Sequence, residues 1–373
     1  MIRKTAIYAL IAAFALAPTA PAFACTNIVL KAKHGAVVRA RTNEFAIPAE
    51  SNVVLIPQGT ELSGTLPDGG KGIGFTSRYN MAGANAYGQA VIVDGMNDQG
   101  LTFGMLLFPD FAEYAEVTPD NARRAMAPYE FGNWVLGNFT TVEEVKKAVA
   151  DVVLVPTTTP VLNEVLPLHY AVTDRSGKSI VIEPVGGKLK VYDNPLGVMT
   201  NAPGFDWHMT NLRNYVNLSV NAVPPIEIDG VKLSQLGQGQ GMHGLPGDFT
   251  PPSRFIRAVV FAHAEYPADT AEEAVLSGFH IMNQFDIPYG SVRDTSGGKT
   301  QAEYTQWTTA SDLKNLRFYF RSYGNQNIHM IDLAKAFAAA KGEVRTVKMS
   351  TEQPIEDLST KFMSGNQAGS ARQ

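Results

Sequence analysis

The 373-residue sequence contains a single cysteine, and beyond its first 24 residues no apolar run approaches the length of a membrane span. One cysteine cannot pair within the chain, which excludes an internal disulfide framework. An excess of charge is missing too: 31 basic and 35 acidic residues give a net charge of −4, with no basic block. Nucleic-acid binding rests on clustered cations that displace counterions, so no nucleic-acid partner is expected. The histidines (His34, His169, His208, His243, His263, His280 and His329) are scattered without H-E-x-x-H or paired spacing. No metal and no cofactor are therefore expected. A G-x-S-x-G element is absent. Ser311-Asp312-Leu313-Lys314 fits S-x-x-K, but Lys299-Thr300 is followed by Gln301 and lies before it, which disfavours a penicilloyl-serine enzyme.

What is present begins at the start of the chain. Arg3 and Lys4 precede an apolar run from Thr5 to Ala17, then Pro18, Pro21 and Ala22-Phe23-Ala24, an A-x-A cleavage pattern. Residues 1–24 read as a signal peptide, residues 25–350 as one domain, and residues 351–373 as a polar C-terminal tail. The mature protein is expected to be periplasmic or secreted, with no membrane span. The lone thiol, Cys25, follows the cleavage point directly. Two ordinary readings compete with a functional one. A lipoprotein acylates this cysteine, but bulky Phe23 fits that signal poorly; an inert buried cysteine is the other.

Short β-branched runs around Lys33-His34-Gly35 predict a hairpin, Thr26–Leu30 with Ala36–Arg41, that puts Cys25 at the free end of a strand. A second strand pair is expected at Ala90–Asp94 and Leu101–Leu107, and a three-stranded meander over Leu168–Asn194. Thr141 with Glu144, and Thr270 with Glu273, have the spacing of helix capping boxes. Phe205–Leu218 and Asp332–Ala340 read as helices, and Tyr304–Leu333 as strands. Strands grouped toward both ends with helices between predict layers of helix and antiparallel sheet, an α+β fold.

A terminal cysteine answers a chemical problem. A thiol has a reference pKa of about 8.5 and needs a base, while an α-amino group titrates at about 7.7–8.0 and is partly neutral at pH 7. One residue then supplies nucleophile and base, and the remaining needs are an oxyanion hole and a cation beside the sulfur. Several separated motifs fit this chemistry: Cys25-Thr26, Arg41-Thr42-Asn43-Glu44-Phe45, Asp94-Gly95-Met96-Asn97-Asp98-Gln99-Gly100-Leu101, Thr200-Asn201-Ala202-Pro203-Gly204-Phe205-Asp206-Trp207, and Leu245-Pro246-Gly247-Asp248-Phe249 running into Ser253-Arg254-Phe255. In this order they resemble the choloylglycine hydrolase family, which includes bile salt hydrolases and penicillin V acylases, within the N-terminal nucleophile hydrolases.

That resemblance implies a four-layer αββα sandwich, two antiparallel sheets between helix layers, that hydrolyses linear amides. It makes Cys25 the nucleophile with its amine as base and sets Arg41 beside the thiol. Glu44 stands where relatives hold the amine with an aspartate, Asn201 becomes the side-chain oxyanion donor, and Arg254 a second arginine near the site. Leu107 falls where relatives carry asparagine or tyrosine, so only its backbone N–H can serve the oxyanion hole. Phe45 replaces a pocket tryptophan, and Met105, Phe108 and Phe111 are further candidates for the pocket wall. The implied partner is a small N-acyl amide: penicillin V first, with conjugated bile salts and N-acyl homoserine lactones as alternatives. A homotetramer is implied as well. From another class, a non-catalytic periplasmic binding protein stays open. So do ordinary readings of single residues: surface ion pairs for Arg41 and Arg254, a solvated Glu44, and turn chemistry for Asn97 and Asn201.

Overall fold

The computed structural model describes residues 24–296 and 299–361. Residues 1–23 of the expected targeting segment and residues 362–373 of the expected tail lie outside them. Two antiparallel sheets form the body. The first has the order Cys25–Lys31, Val37–Phe45, Lys299–Asp312, Arg317–Ser322, Asn325–Asp332, with Val292–Ser296 added against the long strand. The second has eight strands, from Lys188–Asp193 at one edge, through Ser179–Val185, Leu168–Thr173, Thr102–Leu107, Asp94–Asn97, Met81–Ala84 and Asn52–Ile56, to Arg345–Lys348 at the other.

Period-two alternation decides what each face meets. In the second sheet, Val53, Leu55, Ala82, Ala84 and Met96 face Trp307, Phe318 and Phe320 of the first. Their neighbours Val54, Ile56, Met81, Phe103 and Met105 face outward onto Phe131 and Trp134 of the helix Phe131–Asn138. Ile28, Leu30, Val38 and Ala40 bury the outer face of the first sheet under the helices Pro251–Ala264 and Ala271–Met282. The result is the four-layer αββα sandwich. Among the described residues no helix is long and apolar enough to cross a membrane.

The predicted hairpin forms as Cys25–Lys31 with Val37–Phe45, and His34 and Gly35 turn it with φ of 59° and 74°. Both capping boxes close: Thr141 Oγ1 accepts from Glu144 N at 3.2 Å and Thr270 Oγ1 from Glu273 N at 3.1 Å. The meander is present as three paired strands. Two expectations are corrected. The strand expected at Ala90–Asp94 begins only at Asp94, because Asn133 occupies the preceding backbone: its Oδ1 accepts from Ile92 N and its Nδ2 donates to Ala90 O. The helix expected over Phe205–Leu218 stops at Asn211 and continues as a tighter 3₁₀ turn to Tyr215. Val216, the next residue, is 84% exposed and gives the following turn no packed contact. Asn97 organises its turn as expected, accepting from Gln99 N and Leu101 N, and also ties it to Leu136 O and Phe139 O.

Candidate active site

Cross-strand register places the chemistry. Cys25 lies opposite Asn43 and Asn27 opposite Arg41, so these four share the face turned toward the second sheet. Thr26 lies opposite Thr42, and these two share the other face with Glu44, under the helices. The third strand serves both faces because its register shifts at Gln306: Thr305 pairs with Glu44 while Trp307 pairs with Asn43.

Between the sheets, the Arg41 Nη2 donor stands 3.4 Å from Cys25 Sγ and 3.0 Å from Asn43 Oδ1, and its guanidinium lies 5.3 Å from the Trp307 ring centroid. Arg41 and Arg39 are both fully buried, and Asp94 compensates their charge. Asp94 Oδ1 is 2.6 Å from Arg39 Nη1 and 3.5 Å from Arg41 Nη1, and its Oδ2 accepts from Thr309 Oγ1 at 2.6 Å. Gly104 makes room for this cluster, since a Cβ there would lie 1.9 Å from Arg39 Nη2.

On the helix side, Arg254 is also fully buried. Its Nη1 donates to Cys25 O and to Thr26 Oγ1, and its Nη2 to Asn201 Oδ1 at 2.7 Å. Asn201 Oδ1 also accepts from Cys25 N at 2.7 Å, and Asn201 Nδ2 donates to Leu107 O at 2.8 Å. The Asn201 amide is therefore oriented with its oxygen toward the nitrogen of Cys25, and the donor expected to face an oxyanion rests on the Leu107 carbonyl. Two histidines brace this loop: His169 Nε2 lies 3.0 Å from Thr200 O, and His208 Nε2 lies 2.9 Å from Asn201 O. Burial lowers the His208 pKa to about 4 and lowers that of His169 as well.

Glu44 N donates to Ala24 O at 3.0 Å, which sets this residue beside the Ala24–Cys25 peptide bond. Its Oε1 accepts from Thr305 Oγ1 at 2.8 Å, and Oε2 has no hydrogen-bond partner among the described residues. Burial lifts the carboxyl to about 7, against the opposing pull of Arg254 and of the hydrogen bond from Thr305.

Cys25 opens onto a cavity of about 80 Å³. Phe45, Met105, Leu107, Leu162, Leu166 and Leu168 give it an apolar lining, and Trp307 and Tyr87 close one side. Phe108 and Phe111 do not line it, a correction to the sequence reading. Phe108 follows Leu107 at the strand end and stacks on buried His169 at 4.3 Å, and Phe111 packs on Phe108 from a 45% exposed position.

The structure thus brings Cys25, Arg41, Glu44, Asn201 and Arg254 together, with Phe45, Met105 and Leu107 on the wall. Both arginines are buried ligands of the site and not surface ion pairs, and Glu44 is 1% exposed. Sequence reasoning missed Asp94, Asn43, Thr305 and Trp307. A signal existed for the first: Arg39 and Arg41 alternate with Val38 and Ala40 in a strand buried throughout, and two arginines on one buried face require an acid.

The model of the family described as linear amide C–N hydrolases, choloylglycine hydrolase family, matches residues 25–341. A bile salt hydrolase/transferase of Clostridium perfringens is 34% identical over 338 residues, 90% of this chain and 99% of that protein. A penicillin V acylase of Pectobacterium atrosepticum is 28% identical over 346 residues, 87% of this chain and 85% of that protein. Among solved structures, a mutant of the conjugated bile acid hydrolase from Clostridium perfringens superposes with a TM-score of 0.80 at 32% identity, covering 90% of this chain and 99% of its own. A penicillin V acylase from Agrobacterium tumefaciens gives 0.69 at 26% identity, covering 87% and 92%. The chain belongs to the choloylglycine hydrolase family, and it is an enzyme that hydrolyses linear C–N amide bonds.

Proposed function

We propose that Cys25 is the nucleophile and that the substrate is an N-acyl amide with an apolar acyl group, penicillin V foremost. The observation that carries the reading is the convergence on one residue. The Cys25 sulfur faces a buried guanidinium and an apolar cavity, and its nitrogen donates to Asn201 Oδ1, which also accepts from Arg254.

In this mechanism, removal of residues 1–24 before Cys25 frees the amine. The unpartnered Glu44 Oε2, beside the cut bond, receives the new ammonium, and Asn201 Oδ1 accepts from it as it does from the peptide nitrogen. The neutral amine takes the thiol proton, and Sγ attacks the amide carbonyl while Arg41 stabilises the charge developing on sulfur. Asn201 Nδ2 exchanges the Leu107 carbonyl for the tetrahedral oxyanion, with the Leu107 N–H as the second donor. The C–N bond breaks as the ammonium returns its proton to the leaving amine. Water, deprotonated by the same amine, then attacks the thioester, releases the carboxylic acid and restores the thiol.

Two further expectations belong to this proposal. The signal peptide directs the protein to the periplasm or beyond, where cleavage activates it. The enzyme assembles as a homotetramer, supported by the hairpin of Ile226–Ile228 and Val231–Leu233, whose Ile226, Ile228, Val231 and Leu233 are each about half exposed. Conjugated bile salts are the second substrate reading, favoured by the 34% identity to a bile salt hydrolase/transferase over 90% of the chain. Side-by-side turnover of penicillin V, glycocholate and a long-chain acyl homoserine lactone tests the choice. Release of phenoxyacetic acid at the highest kcat/KM is the expected result, and a preference for glycocholate would replace it with the bile-salt reading.

A further inference from the structure

Between the sheets, two arginines meet one acid. Arg39 and Arg41 are fully buried on the same face of their strand, and Asp94 is the carboxylate that reaches both. A guanidinium keeps its charge at any pH a folded protein meets, so one positive charge is left over. We propose that Arg39 is a positioning residue for the reaction: it engages Asp94, so that the charge of Arg41 is left for the Cys25 thiolate. The proposal rests on the reading above that Cys25 is the nucleophile, and it adds a residue outside the lining of the cavity.

The hydrogen bonds show how the charges are divided. Asp94 Oδ1 accepts from Arg39 Nη1 at 2.6 Å, and Oδ2 accepts from Thr309 Oγ1 at 2.6 Å. Arg41 Nη1 stays 3.5 Å from the same Oδ1 and donates instead to Val93 O at 3.1 Å. Its Nη2 donates to Asn43 Oδ1 and faces Cys25 Sγ. The strong, charge-assisted bond of the acid thus goes to the arginine farther from the sulfur. Without Arg39 the same carboxylate would close on Arg41 and draw both its position and its charge away from the thiol.

The pairing is poor as a source of stability. Burial holds the Arg39 pKa below its usual value; Asp94 opposes this, and the like charge of Arg41 adds to it. Arg39 Nη2 and Arg41 Nε are buried without a hydrogen-bond partner among the described residues. An apolar side chain at position 39 would avoid these costs. A thiolate on Cys25 supplies the missing negative charge. The next acid on this side of the second sheet, Glu183, accepts from Phe205 N at 2.9 Å and lies 3.4 Å from His169 Nδ1, where burial keeps the imidazole neutral. On the helix side, Arg254 and Glu44 flank the main chain of Cys25, with Glu303 beyond Glu44. Across the cavity, burial keeps the Tyr87 phenol protonated.

The test uses the processed enzyme and three variants: Arg39→Gln and Arg39→Met remove the charge, and Arg39→Lys keeps it. Cys25 is the one cysteine of the chain, so total thiol alkylation by iodoacetamide reads this sulfur without any substrate. At pH 6.5 the rate should fall about tenfold in both neutral variants and less than about threefold in Arg39→Lys. At pH 10, where ionisation no longer limits the reaction, all four proteins should agree within about twofold. For penicillin V, kcat should fall about tenfold in the neutral variants while KM changes less than about twofold. Arg39→Met should melt above Asp94→Asn, because it leaves Asp94 and Arg41 as a balanced pair. Unchanged alkylation at pH 6.5 overturns the proposal. So does an equal loss at both pH values, a loss in Arg39→Lys as large as in Arg39→Gln, or melting of Arg39→Met below Asp94→Asn. Failure of both neutral variants to fold would assign Arg39 to stability and overturn it too. If the expected alkylation pattern appears but the parent hydrolyses neither penicillin V, glycocholate nor an acyl homoserine lactone, the activity reading fails and the role of Arg39 stands.

Discussion

Asp94 offers the sharpest test of how the site is held. It is fully buried between Arg39 and Arg41, and Asp94→Asn removes the compensating charge while keeping the shape. Taking away one member of a buried ion pair costs about 3–5 kcal/mol, because an uncompensated charge is left out of water. Here two guanidiniums lose their counter-ion, so the upper part of that range applies. At roughly 2 °C per kcal/mol for a chain of this size, the melting temperature should fall by about 8–10 °C. Thr309→Val is the control. It deletes one neutral donor to Asp94 Oδ2, expected to cost about 1–2 kcal/mol. Urea titrations of the three proteins, followed by circular dichroism, give the differences directly. Activity should fall in Asp94→Asn beyond what the loss of folded protein explains, since Arg41 is then free to leave the sulfur. If Asp94→Asn melts within about 1 kcal/mol of the parent and no lower than Thr309→Val, the charge argument is wrong.

Other perturbations read separate parts of the site. Asn201→Ala should lower kcat about a hundredfold, as loss of one oxyanion donor does elsewhere, and unchanged turnover would exclude Asn201 from that role. Phe45→Ala should raise KM for penicillin V by roughly tenfold through lost apolar burial, with a smaller effect on kcat; a pure kcat effect would remove Phe45 from the binding wall. Burial raises the Glu303 carboxyl to about 8, with repulsion from Glu44 adding to it. The unfolded chain ionises the same group near 4.5, so the folded state loses stability as pH climbs from about 4.5 to 8. Glu303→Gln should therefore melt higher than the parent at pH 8.5 and equally at pH 4, and a pH-independent difference would contradict the assignment.

The hairpin that carries Cys25 was legible because its turn residues and β-branched runs leave little choice. Both capping boxes were legible because a hydroxyl and a carboxylate three residues apart satisfy two orphan amides at once. The five residues that meet at Cys25 could be named from separated motifs, yet their contacts could not. The Gln306 register shift that turns Thr305 and Trp307 to opposite faces has no local signature. Nor does the use of Asn133 to cap the backbone of Ala90 and Ile92, which turned an expected strand into a tethered loop. Phe108 and Phe111 read as pocket wall because they are apolar and adjacent to Leu107. The strand end sends Phe108 onto His169 instead. The buried Asp94 was written in a motif whose glycines and asparagine suggested only a turn.

Everything depends on a primary amine beside the Cys25 sulfur, and intact-mass and N-terminal analysis of the active protein tests that most directly. The account predicts one species that begins at Cys25 with an unmodified amine and hydrolyses the amide, while a chain retaining residues 1–24 is inactive. Full activity in a protein that begins elsewhere, or whose terminal nitrogen is acylated, would contradict it.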